Sequence, residues 1–359
     1  MALADDPREL EAIGFPLMLK ASAGGGGRGM RRVDSPGEVA DALVAARREA
    51  LSAFGDGTIY AERLLAPVRH IEVQLLGDRH GRLAVLGERD CSIQRRHQKL
   101  VEESPSPAID PGTREALFDS ARRVAGTVDF HNAATVEFLL DAASNHYFLE
   151  MNTRLQVEHG VTELVTGVDL VAWQIRVAAG QPLPDAVMHA SSRGHAIEVR
   201  LYAEDPYNDF QPSTGSITAW QMPAGPGVRV DAGVGADTDL PPEYDPLLAK
   251  LMVHADDRPA AVDRLRRALD ETVIGGVQTD AGFLRWLVDD ASFVNGAYDT
   301  GLIAERWGID HGLPEDQRAL AATTAIAVRA ASEAGPRHAI DRTQAGSAWA
   351  DAARREAMR

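Results

Sequence analysis

Glu150, Asn152, Arg154, Gln156, Glu158 and His159 are crowded into one stretch, Glu150-Met151-Asn152-Thr153-Arg154-Leu155-Gln156-Val157-Glu158-His159. Read as a strand, it sends Glu150, Asn152 and Arg154 to one face while Met151 and Leu155 point away. A carboxylate and an amide oxygen followed by a guanidinium make a site for a metal ion beside an anion. Oxygen-only donors suit Mg²⁺, which takes one or two carboxylates plus substrate phosphates. The arginine adds a rigid fork for a carboxylate- or carbonate-shaped ligand. The competing reading is an edge strand whose polar face meets water, and the neighbourhood must decide.

Upstream, Ala134 to Leu140 reads as a strand and Asp141 to His146 as its turn. A hairpin turning about Ala143 and Ser144 would bring Glu137 across from Glu150. A slip of one residue would send Glu137 to the other face. Carboxylates held that close need a metal, an arginine or a shared proton, and a cation between them is the simplest solution.

The elements that must position this stretch follow from pattern. Ile13 to Lys20 reads as a strand and leads into Gly24-Gly25-Gly26-Gly27-Arg28-Gly29-Met30. A Rossmann turn would open a helix at once, but Met30 to Val33 continues as a second strand. No Gly-Lys-Ser/Thr follows, so the loop is not a P-loop. What remains is a glycine hairpin laying backbone N–H groups over phosphates, or simply a long flexible turn. Ser35, Pro36 and Glu38 form a capping box before a helix that runs to about Leu51. Thr58 to Leu64, His70 to Leu76 and Leu83 to Leu86 read as strands, the last two joined through Asp78-Arg79-His80-Gly81.

Arg89, Arg95, Arg96, His97 and Lys99 form the basic cluster of an acidic chain, either a focusing pocket for small anions or a solvated run. Pro111 to Val128 reads as an amphipathic helix. A second helix passes through Ala172 to Arg176, His195 to Tyr202 alternates as a strand, and Pro259 to Leu269 reads as a helix. From Pro314 the chain is Ala/Arg/Glu-rich and reads as helices or partial disorder.

Composition sets bounds. The chain has 359 residues, room for two or three domains, and a formal charge of −16 that argues against general nucleic-acid or acidic-membrane binding. Its single cysteine, Cys91, excludes an intramolecular disulfide framework and a cysteine-rich zinc site. A reducing cytoplasm fits, and no apolar run is long enough to cross a bilayer.

Taken in order, Lys20, GGGGRGM, AERLLAPVRHIEVQ, ERDCSIQRRHQKLVEESPSP, EMNTRLQVEHGVTE, GHAIEVRLYAEDP and EYDPLLAKL closely resemble biotin carboxylase. The resemblance runs from about Ile13 to Trp307. Asp299-Thr300-Gly301-Leu302-Ile303 favours the α subunits of acyl-CoA carboxylases. It implies an α+β, ATP-grasp fold: a lid over residues 1–64, an ATP-grasp core and carboxy-terminal domain with a mixed or antiparallel sheet over 65–308, and a helical or partly disordered tail over 309–359.

The implied reaction is ATP-driven carboxylation of biotin by bicarbonate through carboxyphosphate. By the same resemblance Lys20 and the loop of Gly24, Gly25, Gly26, Gly27 and Gly29 would cradle phosphates. Glu62, Arg63 and Leu64 would lie on the adenine side, with His70, Gln94 and His97 near the nucleotide. Glu137, Glu150 and Asn152 would hold Mg²⁺, for which Mn²⁺ can substitute. Lys99 and Arg154 would bind bicarbonate, helped by Gln156 and the backbone of Val157. Glu158 would take its proton, and Arg200 would stabilise the biotin enolate. From residue types alone, Arg200 reads as a plain salt bridge to Glu198 or Glu204. Cys91 has nothing around it to activate a thiolate and reads as a packed residue.

Partners implied are a second copy in a homodimer, a biotin carboxyl carrier domain and a carboxyltransferase subunit. The sequence departs from the family in several ways. The V-A-N-R-G-E-I opening of a parallel α/β domain and a Met-Lys-Met biotinylation signature do not occur in it. Arg63 replaces a usual lysine and Asp280 a usual asparagine. The expectation is a fragment or early-truncated product. The alternatives are a non-catalytic scaffold that dimerises or docks, and the biotin carboxylase part of pyruvate carboxylase.

Overall fold

The computed structural model describes residues 2–3, 10, 12–24, 30–128 and 130–307. Gly25, Gly26, Gly27 and Gly29 and the expected tail at 309–359 lie outside the described residues. A four-stranded sheet comes first, from β1 (Ala2–Leu3), β2 (Leu17–Ala21), β3 (Arg31–Val33) and β4 (Ile59–Arg63), in the order β1-β4-β2-β3. Alternation in β2 and β4 buries Leu17, Leu19, Ala21, Ile59 and Ala61 against Ala46 and Ala50 of helix α1 (Val39–Phe54). Ser35 Oγ donates to Glu38 Oε1 at 2.8 Å just before that helix, and Gly55 ends it at φ +74°. The opposite parity leaves Lys20 and Glu62 on the other face of the sheet, where they pair at 2.5 Å.

An eight-stranded sheet carries the rest. Its strands are β5 (Val68–Gly77), β6 (Leu83–Arg95), β7 (Gln98–Ser104), β8 (Asn132–Asp141), β9 (His146–Asn152), β10 (His195–Tyr202), β11 (Val228–Ala232) and β12 (Leu247–Ala255). Their order is β11-β12-β10-β7-β6-β5-β8-β9, and every pairing among the described residues is antiparallel rather than mixed.

The two faces of this sheet differ by strand parity. Ile71, Val73, Leu75, Val136 and Phe138 pack under helix α2 (Pro111–Ala125), whose N-cap Asp110 accepts from Gly112 and Thr113 N–H. Ile197, Val199 and Leu201 pack with Leu265 and Leu269 of α6 (Arg258–Glu271) and Phe283 of α7 (Ala281–Asp289). Each such leucine removed from water contributes about 1.5–3 kcal/mol. The other face holds Glu72, Gln74, Glu137, Glu198 and Arg200, all buried. Helix α3 (His159–Thr166) covers it, with α4 (Leu170–Ala178) and α5 (Asp185–Met188) beyond. Sequence pattern missed α3 because Gly160, Val161, Thr162 and Val165 are weak helix formers; packing of Val161 and Val165 on Ala196 secures it.

One buried group stands apart. Asp280 Oδ1 accepts the Tyr202 N–H at 2.9 Å, while Oδ2 has no partner. Burial raises its carboxyl well above the ordinary value. The folded protein therefore holds this proton more tightly than the unfolded chain. That stabilisation is full below the unfolded value of about 3.9 and is lost as pH rises through the folded one, at about 1.4 kcal/mol per unit. Asp280→Asn should be increasingly more stable than the natural protein as urea denaturation is repeated from pH 4 to pH 8; parallel curves would clear Asp280 of this cost.

Candidate functional site

The charged face is built rung by rung. Antiparallel register sets Arg89 of β6 opposite Glu72 of β5, Glu72 opposite Glu137 of β8, and Glu137 opposite Glu150 of β9. Four charged side chains thus stand in one row across four strands. The next rung on the same face is Gln74, Thr135 and Asn152. Arg89 is fully buried; its Nε donates to Glu72, and its Nη1 donates to Gln74 Oε1 and Thr162 Oγ1, both at 2.8 Å.

Lys99 joins this row because of a bulge. Ile93 pairs with Val101 but Gln94 pairs with Lys99, so β7 carries Leu100 as an extra residue. The extra residue turns Lys99 onto the face of Glu102, a common use of bulges beside sites. Lys99 Nζ then lies 2.6 Å from Glu72 Oε2, 2.6 Å from Glu158 Oε1 and 3.3 Å from Glu137 Oε1. Burial opposes its charge, but Glu72, Glu158 and Glu137 hold the ammonium well above its ordinary pKa. Glu158, at the N-cap of α3, is buried and also accepts from Arg200 Nη2 at 2.9 Å, while Arg200 Nε donates to Glu102 Oε1 at 2.7 Å.

Glu137 is pushed up by burial but pulled down further by its His70 hydrogen bond and Lys99, to about 2. Its ionised form contributes stability above the ordinary value of about 4.3, lost as pH falls toward the folded one. His70 Nε2 is 2.7 Å from Glu137 Oε2, and Gln94 Nε2 is 3.3 Å from His70 Nδ1. An amide donating to Nδ1 leaves the proton on Nε2, pointing at the carboxylate. Partial desolvation, then Lys20 and His70, lower the His97 pKa.

The donor set fits a hard divalent cation. Asn152 Nδ2 lies 2.9 Å from Glu137 Oε1 and 3.0 Å from Glu150 Oε1, so both carboxylates converge on one amide. A half-turn of that amide presents its oxygen to the same place. Carboxylates here also outnumber the fixed cations Arg89, Lys99 and Arg200.

The carbamoyl-phosphate synthase L chain ATP binding domain matches residues 4–186, and the biotin carboxylase C-terminal domain matches residues 198–305. The biotin carboxylase domain dimer of Hydrogenobacter thermophilus 2-oxoglutarate carboxylase, solved with MgADP, ADP and bicarbonate, superposes with a TM-score of 0.82. It is 42% identical, over 87% of this chain and 70% of that one. The chain belongs to the biotin carboxylase family. A Nostoc sp. biotin carboxylase is 49% identical over 82% of this chain and 66% of its own length. A pyruvate carboxylase component from Methanothermobacter thermautotrophicus is 47% identical over 84% and 62%. The chain thus spans less than two-thirds of the length of either relative. Its fold is ATP-grasp.

Within this biotin carboxylase fold the sequence-predicted residues fall into two groups. Glu72's neighbours Lys99, Glu137 and Glu158, with His70, Gln94, Arg200, Glu150 and Asn152, form one connected network. Glu62 pairs with Lys20, Arg63 is exposed at the end of β4, and Leu64 N–H donates to Pro16 O at 3.1 Å. Gly24 N–H donates to Ala21 O.

Arg154 needs correction. The strand ends at Asn152, two residues short of the expected run, and among the described residues exposed Arg154 donates only to its neighbour Leu155 O, at 3.3 Å. It does not share the face of Glu150. The Val157 carbonyl accepts from Lys250, and Gln156 is buried with Nε2 unpartnered. Arg200 pairs with Glu102 and Glu158, not with Glu198 or Glu204.

Glu72 was missed as a site residue, although the alternation His70, Glu72, Gln74 was a signal, and Arg89 was read only as a member of the basic cluster. Cys91 is buried, and burial pushes its thiol well up, as its packed reading requires. Replacing Lys99 with methionine leaves Glu72, Glu137 and Glu158 facing one another and should cost about 3–5 kcal/mol in urea denaturation at pH 7. The deficit should shrink as acid protonates them. A loss below about 1 kcal/mol, or one independent of pH, would show that the ammonium does not hold the carboxylates together.

Proposed function

We propose that this chain carries the ATP- and Mg²⁺-dependent carboxylation of biotin by bicarbonate. The observation that carries the reading is Glu158, a buried carboxylate held between Lys99 and Arg200 at the end of the acidic row. A base so placed can take the bicarbonate proton while two cations hold the anion beside it. The bicarbonate oxygen then bonds to the γ-phosphorus as the bond to ADP breaks. Carboxyphosphate so formed breaks into CO₂ and phosphate next to the ureido nitrogen of biotin; the phosphate takes the proton of that nitrogen, which then bonds to the CO₂ carbon. Arg200 would face the enolate oxygen of biotin, and Lys99 the bicarbonate.

Glu137, Glu150 and Asn152 would hold Mg²⁺, which when bound neutralises phosphate charge during transfer. Lys20 and the glycine loop would take the phosphates, Glu62, Arg63 and Leu64 the adenine side, and His70, Gln94 and His97 the nucleotide. Gln156 and the Val157 backbone would assist the anion. Arg154, which has no acidic partner among the described residues, would reach the anion by reorienting.

In this reading residues 1–64 act as lid, 65–308 as core and carboxy-terminal domain, and 309–359 as a tail. The partners would be a biotinylated carrier domain, a carboxyltransferase and a second copy of the chain, in a reducing cytoplasm. No described helix is long and apolar enough to cross a membrane. The likeness to a pyruvate carboxylase component supports pyruvate as an alternative final acceptor to an acyl-CoA.

The test is bicarbonate-dependent ATP cleavage with free biotin. Glu158→Gln should lower kcat by about 10²–10⁴ with little change in KM for ATP, and an unchanged kcat would reject the base assignment. In the same assay Glu137→Gln and Glu150→Gln should each raise the Mg²⁺ concentration needed. Equal Mg²⁺ dependence in both would return them to a structural role.

A further inference from the structure

Behind Arg200 lies a carboxylate that the proposed reaction does not use. Glu198 and Arg200 share a face of β10, and the register sets Glu198 opposite Glu102 of β7 and Met252 of β12. Residues opposed in this way hold their Cβ atoms about 4.5–5.5 Å apart. Glu198 is fully buried and neither of its oxygens has a hydrogen-bond partner. Glu102, equally buried, gives Oε1 to Arg200 and leaves Oε2 unpartnered.

Gly160 of α3 closes the space. A Cβ there would meet Met252 Sδ at 2.2 Å and Glu198 Oε2 at 3.4 Å. The charged and titratable groups facing the pair are Arg200 and Tyr202 from β10, Lys250 from β12, Glu158 from the start of α3, Lys99 from β7 and Cys91 from β6. Lys250 is committed to Val157 O at 2.8 Å and Asp231 at 3.3 Å, and Lys99 to Glu72, Glu137 and Glu158. Among the described residues Glu198 therefore has no hydrogen-bonded cation of its own, and a bare carboxylate opposite the half-paired Glu102 in so dry a place cannot ionise together with it.

We propose that Glu102 and Glu198 hold one proton between them, carried on Glu198 as a hydrogen bond to the free Oε2 of Glu102, and that this pair positions Arg200 against Glu158. Burial raises Glu198 well above the ordinary carboxylate value and brings Glu102 to about 7, in keeping with a single shared proton. At neutral pH Arg200 then lies between Glu158 and one carboxylate charge. Losing the shared proton in alkali places a second charge behind Arg200 and draws the guanidinium away from Glu158. The pair touches no reacting atom; it is a positioning device. Only its consequence for catalysis rests on the reaction proposed above.

The test uses the 359-residue chain with isotopically labelled glutamate and arginine. Infrared spectra at pH 7 should show a protonated carboxyl stretch that Glu198→Gln abolishes. The Arg200 Nε resonance should shift on raising the pH in the natural protein and stay still in Glu198→Gln. Glu102→Gln, whose amide can donate to Glu198, provides a second variant and should move the loss of the band to lower pH. A band that survives in Glu198→Gln, or an Arg200 signal that titrates alike in both proteins, overturns the proposal. ATP cleavage on the same samples separates the two ideas. The expected band and titration without bicarbonate-dependent cleavage would uphold the shared proton and reject the reaction.

Discussion

A row of charged side chains, three of its four members carboxylates, running from the middle of a sheet to its edge is the constraint from which the rest follows. Arg89, Glu72, Glu137 and Glu150 occupy one rung, and Glu158 approaches from a helix start. Desolvating carboxylates costs several kcal/mol each unless cations are placed beside them. Arg89 answers from within the rung, Lys99 from the neighbouring strand and Arg200 from two strands away. Remove the bulge at Leu100 and Lys99 would lie on the apolar face, leaving three carboxylates without their shared ammonium.

The same sheet resolves the conflict between holding charge and holding a core by giving each its own face. Ile71, Val73, Phe138, Ile197 and Val199 pack beneath helices, and this apolar burial supplies the stability that the charged face spends. The helix that covers the charged face makes both kinds of contact with it, Val161 and Val165 packing on Ala196. Thr162 of α3 accepts from Arg89 and Gly160 admits Met252, so α3 is fitted to the site as well as packed on the sheet.

Much of this was legible in sequence where it depended on local pattern. The Glu137–Glu150 rung was expected from a turn about Ala143 and Ser144, with the register left open. Asp141 does anchor the turn, accepting from the N–H groups of Ala143 and Asn145, but the pairing it starts sets Phe138 opposite Phe148, and an extra residue in β9, Leu149, then brings Glu150 opposite Glu137. The strand through Glu198 and Arg200 followed from alternation, and the helix from Pro111 from its amphipathic pattern. The failures were non-local. No spacing tells that β7 carries an extra residue opposite β6, or that Glu102 rather than Glu198 takes Arg200. Arg154 was misplaced because continued alternation beyond Asn152 looked like more strand, although no further pairing partner exists there among the described residues.

The hub of the network also explains why its ligands must act together. An ammonium has three donors, and those of Lys99 are all engaged, by Glu72, Glu158 and Glu137. An anion can bind Lys99 only if one of these contacts is surrendered. The contact to Glu137, at 3.3 Å, is the longest, and Glu137 already turns its other oxygen to His70. Drawing Glu137 toward Glu150 and Asn152, as a shared cation would, frees that donor without disturbing Glu72 or Glu158. In the proposed reading, cation binding at the edge of the sheet and anion binding at its centre would in this way be coupled through a single carboxylate. The coupling requires only a small rotation of Glu137 rather than any movement of the strands.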